Sequence, residues 1–119
     1  MRRATRGWTG RRSAIRTTYR GITYASKSEA RYAAYLDVLK KGGLVERWER
    51  QVRWPLVVNG EKVCVMVIDF RVWYTDGSSA FHEVKGWHER VWRLKSKLPK
   101  ALYPDLSYVV IPAQETKAL

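Results

Sequence analysis

Two stretches of this sequence combine a strongly apolar strand pattern with charged residues, which a sheet core normally excludes. The first, residues 65–70, contains Asp69, and the second, residues 81–86, contains Glu83. Between them lies Asp76-Gly77, a dipeptide that strongly favours a β-hairpin turn. The two charged stretches are therefore predicted to be neighbouring strands of one sheet.

Asp69 and Glu83 would be unstable at these positions without a partner. A carboxylate drawn into the end of a buried strand loses much of its hydration energy, and a second carboxylate nearby adds like-charge repulsion. A cation between the two side chains would offset both costs. The pattern therefore indicates a metal site, provided that the two side chains share a face of the sheet.

The length of the hairpin loop decides whether they share one. Directly opposed residues of paired strands point to the same face. A two-residue turn at Asp76-Gly77 would place Asp69 opposite Val84 and would separate the two acids. A three-residue loop over residues 75–77, closed by a left-handed glycine, would place Asp69 opposite Glu83. The metal-site hypothesis therefore requires the three-residue loop.

The charge balance of the chain indicates an anionic partner. The 119 residues include 23 Lys and Arg but 11 Asp and Glu, which gives a net charge of +12. This excess is larger than solubility requires. A chain of this length forms one domain. Its single cysteine excludes an internal disulfide, and it has no apolar run long enough to span a membrane. We expect a soluble, intracellular protein.

The beginning of the chain is almost purely basic. The first 28 residues hold eight bases and no acid, and their few apolar residues show no periodicity. One interpretation is a solvated, partly disordered tail. The interpretation that we favour is an arm that lies along a phosphate backbone, because a tail that serves only solvation does not need charges of one sign.

Residues 26–41 are predicted to form the first helix. Ser26 is a typical N-cap, and Gly42-Gly43 ends the helix. Glu29 lies one turn before Ala33 and therefore leans toward the apolar side of the helix. Ser26 and Glu29 also fit a capping box, in which Glu29 only bonds back to the Ser26 amide. The helix alone does not distinguish a site role from a capping role.

Three strands, a helix and a last strand are predicted for the rest of the chain, at residues 45–58, 62–74, 79–85, 88–102 and 106–111. Pro55 indicates that the first strand lies at a sheet edge. Asn59-Gly60 predicts a turn into the second strand, whose apolar residues on both faces indicate a central position. Pro99 predicts a kink or a restart in the helix. Residues 112–119 carry no signal.

This order of elements, with acids on its second and third strands, resembles the core of the PD-(D/E)XK nuclease superfamily. Four motifs are similar to those of small phage-encoded nucleases: Ser26-Lys27-Ser28-Glu29-Ala30-Arg31, Gln51-Val52-Arg53-Trp54-Pro55-Leu56, Asp69-Phe70 and Glu83-Val84-Lys85-Gly86. Ile68 stands where the superfamily's name places a proline. An acid-x-lysine triplet alone is weak, since it arises by chance about once per hundred residues. Indeed, Glu115-Thr116-Lys117 is a second example. The joint placement of the four motifs makes the resemblance specific.

The resemblance implies an α/β (α+β) fold with a restriction-endonuclease-like core, in which helices flank a mixed central sheet. This nuclease domain would cover residues 22–111. A basic, partly flexible arm of residues 1–21 would precede it, and a tail of residues 112–119 would follow it. The activity implied is a DNA endonuclease that depends on Mg²⁺, for which Mn²⁺ would substitute.

The resemblance also implies a role for each site residue. Asp69, Glu83 and the backbone carbonyl of Val84 would hold the metal. Glu29 would complete the site or hold a second ion. Lys85, on the face of Glu83, would position the attacking water or stabilise the developing negative charge. His82 alternates onto the opposite face, so no metal role is expected for it.

The expected DNA contacts are the bases of the arm, a polar residue of the first strand and bases of the second helix: Arg2, Arg3, Arg6, Arg11, Arg12, Arg16, Arg20, Lys27, Gln51, Arg90, Arg93 and Lys97. The likeness to phage enzymes implies branched or four-way junction DNA as substrate and the cytoplasm of a bacterial host as location. Two symmetric cuts in a junction would require a homodimer. The alternatives are a sequence-preferring DNA nickase and a non-catalytic basic nucleic-acid-binding protein.

Overall fold

The helices and strands follow one another in the predicted order, after one additional hairpin. The computed structural model describes residues 15–86 and 90–119. Its elements are β1 Thr17–Tyr19, β2 Ile22–Tyr24, α1 Lys27–Lys41, β3 Val45–Val58, β4 Glu61–Tyr74, β5 Ser79–Lys85, α2 Arg90–Leu102, β6 Tyr108–Pro112 and a 3-10 helix, Ala113–Ala118. The fold is of the α+β class. None of the described helices is long and apolar enough to cross a membrane.

One mixed sheet contains the strands β3, β4, β5 and β6 in this order. The first two pairs are antiparallel, and β6 runs parallel to β5. Pro55 lies in β3 at the edge of the sheet, as predicted, where its missing amide hydrogen costs no ladder bond. Asn59 and Gly60 form the turn into β4 with φ angles of 50° and 79°, which is the left-handed pair of a two-residue hairpin turn.

The β4–β5 turn has the three-residue loop that the metal-site hypothesis requires. The amide of Tyr74 donates to the carbonyl of Ser78 over 2.8 Å, which leaves residues 75–77 as the loop. Its glycine is left-handed, with a φ of 93°. The strands pair with Phe70 opposite His82. The predicted register is therefore confirmed.

The helix α1 has the predicted bounds and packs on the sheet. The Ser26 hydroxyl accepts a hydrogen bond from the amide of Glu29 over 3.1 Å, and Gly42 caps the other end. Its buried residues are Ala30, Tyr32, Ala33 and Leu36, which form one core cluster with Phe70 and Val72 of β4. The small alanines allow the helix to lie close to the strands.

A second core cluster shows that the buried face of the β3–β4 hairpin changes along its length: one part packs against α1 and the other against α2. Met66 and Ile68 pack with Phe81 and with residues of α2, whereas Phe70 packs with α1. A regular strand would place residues 66, 68 and 70 on one face. The hairpin therefore turns its apolar face from the α1 side to the α2 side between Ile68 and Phe70. Gln51 of β3 lies across from this point and has a φ of 54°.

Exposed valines limit the prediction for β4. The strand is central in the sheet, as predicted, but Val63 and Val67 are 58% and 43% exposed. Apolar residues on both faces of this strand therefore do not mean that both faces are buried. In the part of the hairpin that contains Val63 and Val67, one side of β3 and β4 has no covering helix among the described residues.

The second helix departs from its prediction at Pro99. It runs as one helix from Arg90 to Leu102, so the predicted restart is wrong. The proline comes in the last turn, so the loss of its amide hydrogen bond affects only the end of the helix. The amide of Tyr103 donates to the carbonyl of Pro99 over 2.8 Å and continues the turn. The last strand begins at Tyr108, two residues later than predicted.

Two segments without a predicted element also pack on α1. Tyr19 of the β1–β2 hairpin donates its hydroxyl proton to Asp37 over 2.6 Å. At the other end of the chain, the 3-10 helix buries Thr116 completely. Its hydroxyl donates to the carbonyl of Ala113 over 2.6 Å and accepts from Nε of Arg31 over 3.2 Å. Parts of the segments predicted as arm and tail are therefore ordered, because these polar contacts tie them to the helix.

Candidate active site

The site forms where β4 separates from β5. The last paired residues of these strands are Phe70 and His82. Just beyond them, the amide of Asp69 donates to Oε1 of Glu83 over 3.2 Å. The amide of Val84 donates to Oδ2 of Asp69 over 2.9 Å. In a regular ladder, backbone carbonyls would accept the hydrogen bonds of these two amides. Here the strands separate, and each carboxylate accepts a bond from the other strand instead, which brings the two side chains close together.

Burial and mutual repulsion raise the pKa of Asp69. The side chain of Glu83 beside it is only 3% exposed. The pKa of Asp69 rises to about 7, first because of burial and then because of the charge of Glu83. The Val84 amide and the charge of Lys85 act in the opposite direction. The pair therefore holds negative charge that its surroundings compensate only in part.

Glu29 reaches this pair from α1. Burial, followed by the charge of Asp69, raises the pKa of Glu29 to about 7. A hydrogen bond from the Ser26 hydroxyl, 3.3 Å from Oε2 of Glu29, lowers it. Both interpretations of the sequence therefore apply in part: the Glu29 amide is capped by Ser26, and its carboxylate interacts with Asp69.

Lys85 and Val84 lie at the predicted place, the end of β5. Lys85 is half-buried, and its charge acts on the pKa of Asp69. The side chain of Val84 points away and packs in the α1 cluster. The contact that Val84 makes in the site is through its amide, and the role of its carbonyl as a metal ligand stays a prediction.

Two further residues of the site were not predicted. Arg50 of β3 lowers the pKa of Glu29 through its charge, and its guanidinium lies 4.8 Å from the centroid of the Tyr24 ring. Tyr108 of β6 donates its hydroxyl proton to Oε2 of Glu83 over 3.5 Å. The sequence offers no signal for Tyr108, because it reaches Glu83 only through the parallel pairing of β6 with β5. Arg50 directly precedes the strand motif that begins at Gln51, and the motif itself does not point to it.

His82 has a structural environment on the other face of β5. The hydroxyl of Tyr32 is 2.6 Å from its Nδ1, and the hydroxyl of Tyr74 is 3.2 Å from its Nε2. Burial lowers the pKa of His82 to about 4, so the ring is neutral at pH 7. Its position agrees with the expectation that it does not contribute to the carboxylate cluster.

The residues predicted to contact DNA are spread over the surface, as far as they are described. Arg16, Arg20, Lys27, Gln51 and Lys97 are exposed. Arg20 has its Nε 3.8 Å from Oδ2 of Asp37. The remaining predictions fall outside the described part of the structure, either as whole residues or as side chains: Arg2, Arg3, Arg6, Arg11, Arg12, Arg90 and Arg93.

The described carboxylates do not form a complete cage of metal ligands. Within residues 15–86 and 90–119, no group of three or more His, Cys, Asp or Glu side chains is arranged to hold a metal ion. The constellation where β4 separates from β5 is therefore a close pair, Asp69 and Glu83, with Glu29 acting on Asp69 from the helix.

Comparison with known proteins identifies a family. No curated protein and no solved structure matches the chain. Residues 10–117 match the model of a family described as "Protein of unknown function (DUF1064)". Because this match covers most of the chain, the protein belongs to the DUF1064 family.

Proposed function

We propose that this protein is a Mg²⁺-dependent DNA endonuclease with a restriction-endonuclease-like core. The observation that carries the proposal is the meeting of Asp69 and Glu83 where β4 separates from β5. Lys85, two residues beyond Glu83, acts electrostatically on Asp69. An acid pair can hold a metal ion, and a lysine beside it can stabilise negative charge, which are groups that metal-assisted phosphodiester hydrolysis uses.

The donor set fits Mg²⁺. Asp69 and Glu29 both have a pKa of about 7, so a cation would gain from binding to them at neutral pH. Mg²⁺ prefers oxygen ligands and is usually bound through one or two carboxylates, waters and substrate phosphates rather than by a closed protein cage. Asp69 and Glu83 would hold the ion, with Glu29 as a further ligand. Bound there, it would supply a water of lowered pKa and would offset phosphate charge.

The protein's own residues would orient and stabilise the reacting groups. The ammonium of Lys85 would stabilise the negative charge that develops on the phosphate. The hydroxyl of Tyr108 fixes the orientation of Glu83 through Oε2. The charge of Arg50 lowers the pKa of Glu29 and so favours its ionised form, which is the form that binds a cation. The net charge of +12 would draw the polyanionic substrate to the protein.

Within this proposal, the substrate is branched or four-way junction DNA, and the protein acts as a homodimer in the bacterial cytoplasm. These points rest on the likeness of the four sequence motifs to phage nucleases. A junction has two symmetric strands to cut, and a two-fold dimer presents two identical sites to them. A nickase with a sequence preference would instead cut one strand of a linear duplex.

Cleavage of labelled duplex, nicked and four-way junction DNA tests the proposal. Each substrate is incubated with Mg²⁺, Mn²⁺ or EDTA and with wild type, Asp69→Asn, Glu83→Gln or the matched control Glu61→Gln, an exposed acid at the far end of β4. We expect cleavage with either metal, none in EDTA, and a loss of about 100-fold or more in the two site variants. The control variant should cut like wild type.

Two results would contradict the proposal. Cleavage that persists in EDTA would exclude a metal requirement. Binding of all three substrates without cleavage of any would identify a basic nucleic-acid-binding protein instead. In that case we expect Asp69→Asn and Glu83→Gln to bind DNA at least as tightly as wild type, because each removes a negative charge.

A further inference from the structure

A basic cleft adjoins the candidate active site. It has a volume of about 690 Å³ and lies between the first turns of α1, the end of β5 and the 3-10 helix. Its charged lining consists of Lys27, Arg31, Lys85 and Lys117. We propose that this cleft binds a backbone phosphate of the DNA strand, next to the phosphate that is cut. The identity of this ligand rests on the nuclease function proposed above.

The charges of the cleft favour an anion. Its four cations come from three different elements, and none of the described residues that line it is an acid. Folding therefore brings like charges together, which costs free energy unless an anion or solvent compensates them. The volume is that of a typical ligand site and leaves room for a phosphate with its flanking sugars. A chain of phosphates is the partner that the net charge of +12 also favours.

Arg31 is held in place for such a contact. Its Nε donates to the hydroxyl of Thr116 over 3.2 Å, and Thr116 is completely buried. This hydroxyl is itself fixed, because it donates to the carbonyl of Ala113 over 2.6 Å. A guanidinium anchored through Nε loses little further freedom when its terminal nitrogens bind a phosphate. Lys27 and Lys117 are exposed and add mobile point charges at the rim.

The cleft and the carboxylate cluster share Lys85. This residue lines the cleft, and its charge also lowers the pKa of Asp69. Gly86 follows it, and a Cβ atom at this position would lie 3.2 Å from the Cβ of Ala113. The glycine thus lets the end of β5 approach the 3-10 helix closely, which forms one wall of the cleft. A phosphate bound in the cleft would share Lys85 with the carboxylate cluster.

The salt dependence of DNA binding tests this proposal without cleavage. Fluorescence anisotropy of a short fluorescein-labelled DNA duplex in EDTA gives Kd over a series of salt concentrations, for wild type, Lys117→Ala, Arg31→Ala and the double variant. Lys62→Ala is the control, because Lys62 is exposed on β4 and outside the cleft. We expect each cleft substitution to weaken binding and to reduce the slope of log K against log salt by about 1.

Several results would overturn the cleft proposal. One is a wild type that does not bind the duplex, and another is a Lys117→Ala slope equal to that of Lys62→Ala. A third is an effect of the cleft substitutions that is seen with a duplex carrying a 5′-terminal phosphate but not with the same duplex lacking it, since both duplexes contain backbone phosphates. Lys117 is exposed, so its substitution does not endanger folding. The outcome is independent of the cleavage assay: a protein that binds through the cleft without cutting supports the cleft and contradicts the nuclease, and the reverse also holds.

Discussion

At the scale of single residues, the most informative groups are the carboxyls of Asp69 and Glu29. Burial and a neighbouring carboxylate raise the pKa of each to about 7. In a metal-free protein these groups therefore bind protons more tightly when folded than when unfolded. Their contribution to stability is fully present at low pH and is lost as the pH rises through about 7.

The direction of this pH dependence predicts how Asp69→Asn changes the free energy of unfolding. In EDTA at about pH 8, the variant should be more stable than wild type by on the order of a few kcal/mol, because it carries no buried charge. At about pH 4, where Asp69 is protonated, the difference should be small. Urea denaturation of both proteins at the two pH values measures it. The lowered pKa of His82 changes stability with pH in the opposite direction. Because both proteins contain His82, its contribution cancels when their free energies of unfolding are subtracted. A variant destabilised equally at both pH values would contradict the assigned cause.

The roles of single residues were only partly predictable. The cost of two acids at apolar strand ends was enough to select Asp69 and Glu83 and to require that they meet. Arg50 and Tyr108 could not be predicted in the same way, because an arginine in an edge strand and a tyrosine in a terminal strand have many satisfactory surroundings. What makes them neighbours of the carboxylates is the pairing of strands that are distant in sequence.

At the scale of elements, the bend of the β3–β4 hairpin gives Gln51 a structural role in addition to its predicted contact with DNA, which stays a prediction. Its side chain is exposed, and its backbone is left-handed, with a φ of 54°. The residue opposes the point where β4 changes its face and leaves β5. This conformation is strained for a residue other than glycine. The strained residue therefore lies at the bend of the hairpin, where β4 separates from β5 and the candidate site forms.

Gln51→Gly should therefore stabilise the protein by about 1 kcal/mol, since glycine adopts this conformation freely. Arg53→Gly, two residues along the same strand, is the matched control and should lose about 0.5–1 kcal/mol, because glycine weakens an ordinary strand position. Urea denaturation gives both values. Equal losses in the two variants would exclude strain at Gln51. If the side chain of Gln51 also contacts DNA, as predicted, a stable Gln51→Gly variant should lose DNA cleavage, whereas cleavage equal to that of wild type would leave only the structural role.

At the scale of the whole molecule, charge is distributed unevenly along the chain. Residues 2–14 contain five arginines and no acid. If these residues lie along a phosphate backbone, their deletion should reduce the slope of log K against log salt by about 0.9 for each phosphate that they neutralise. Thermal unfolding of the shortened protein serves as the control for folding. A slope identical to that of the full chain would support the solvated-tail interpretation instead.

Most of the local structure of this protein follows from short-range signals in its sequence. Capping residues, glycines and turn dipeptides specify where α1 and the hairpins begin and end, because these signals act on a few neighbouring residues. These signals left the β4–β5 loop at two or three residues, and the cost of burying two separated carboxylates selected the three-residue loop and the register that places Asp69 beside Glu83. Only the tertiary structure decided what surrounds that pair: the turn of the hairpin face at Gln51, the approach of Tyr108, and the folding of Thr116 and Lys117 against α1 to form the basic cleft. These features depend on contacts between residues far apart in sequence, and no local propensity encodes such contacts.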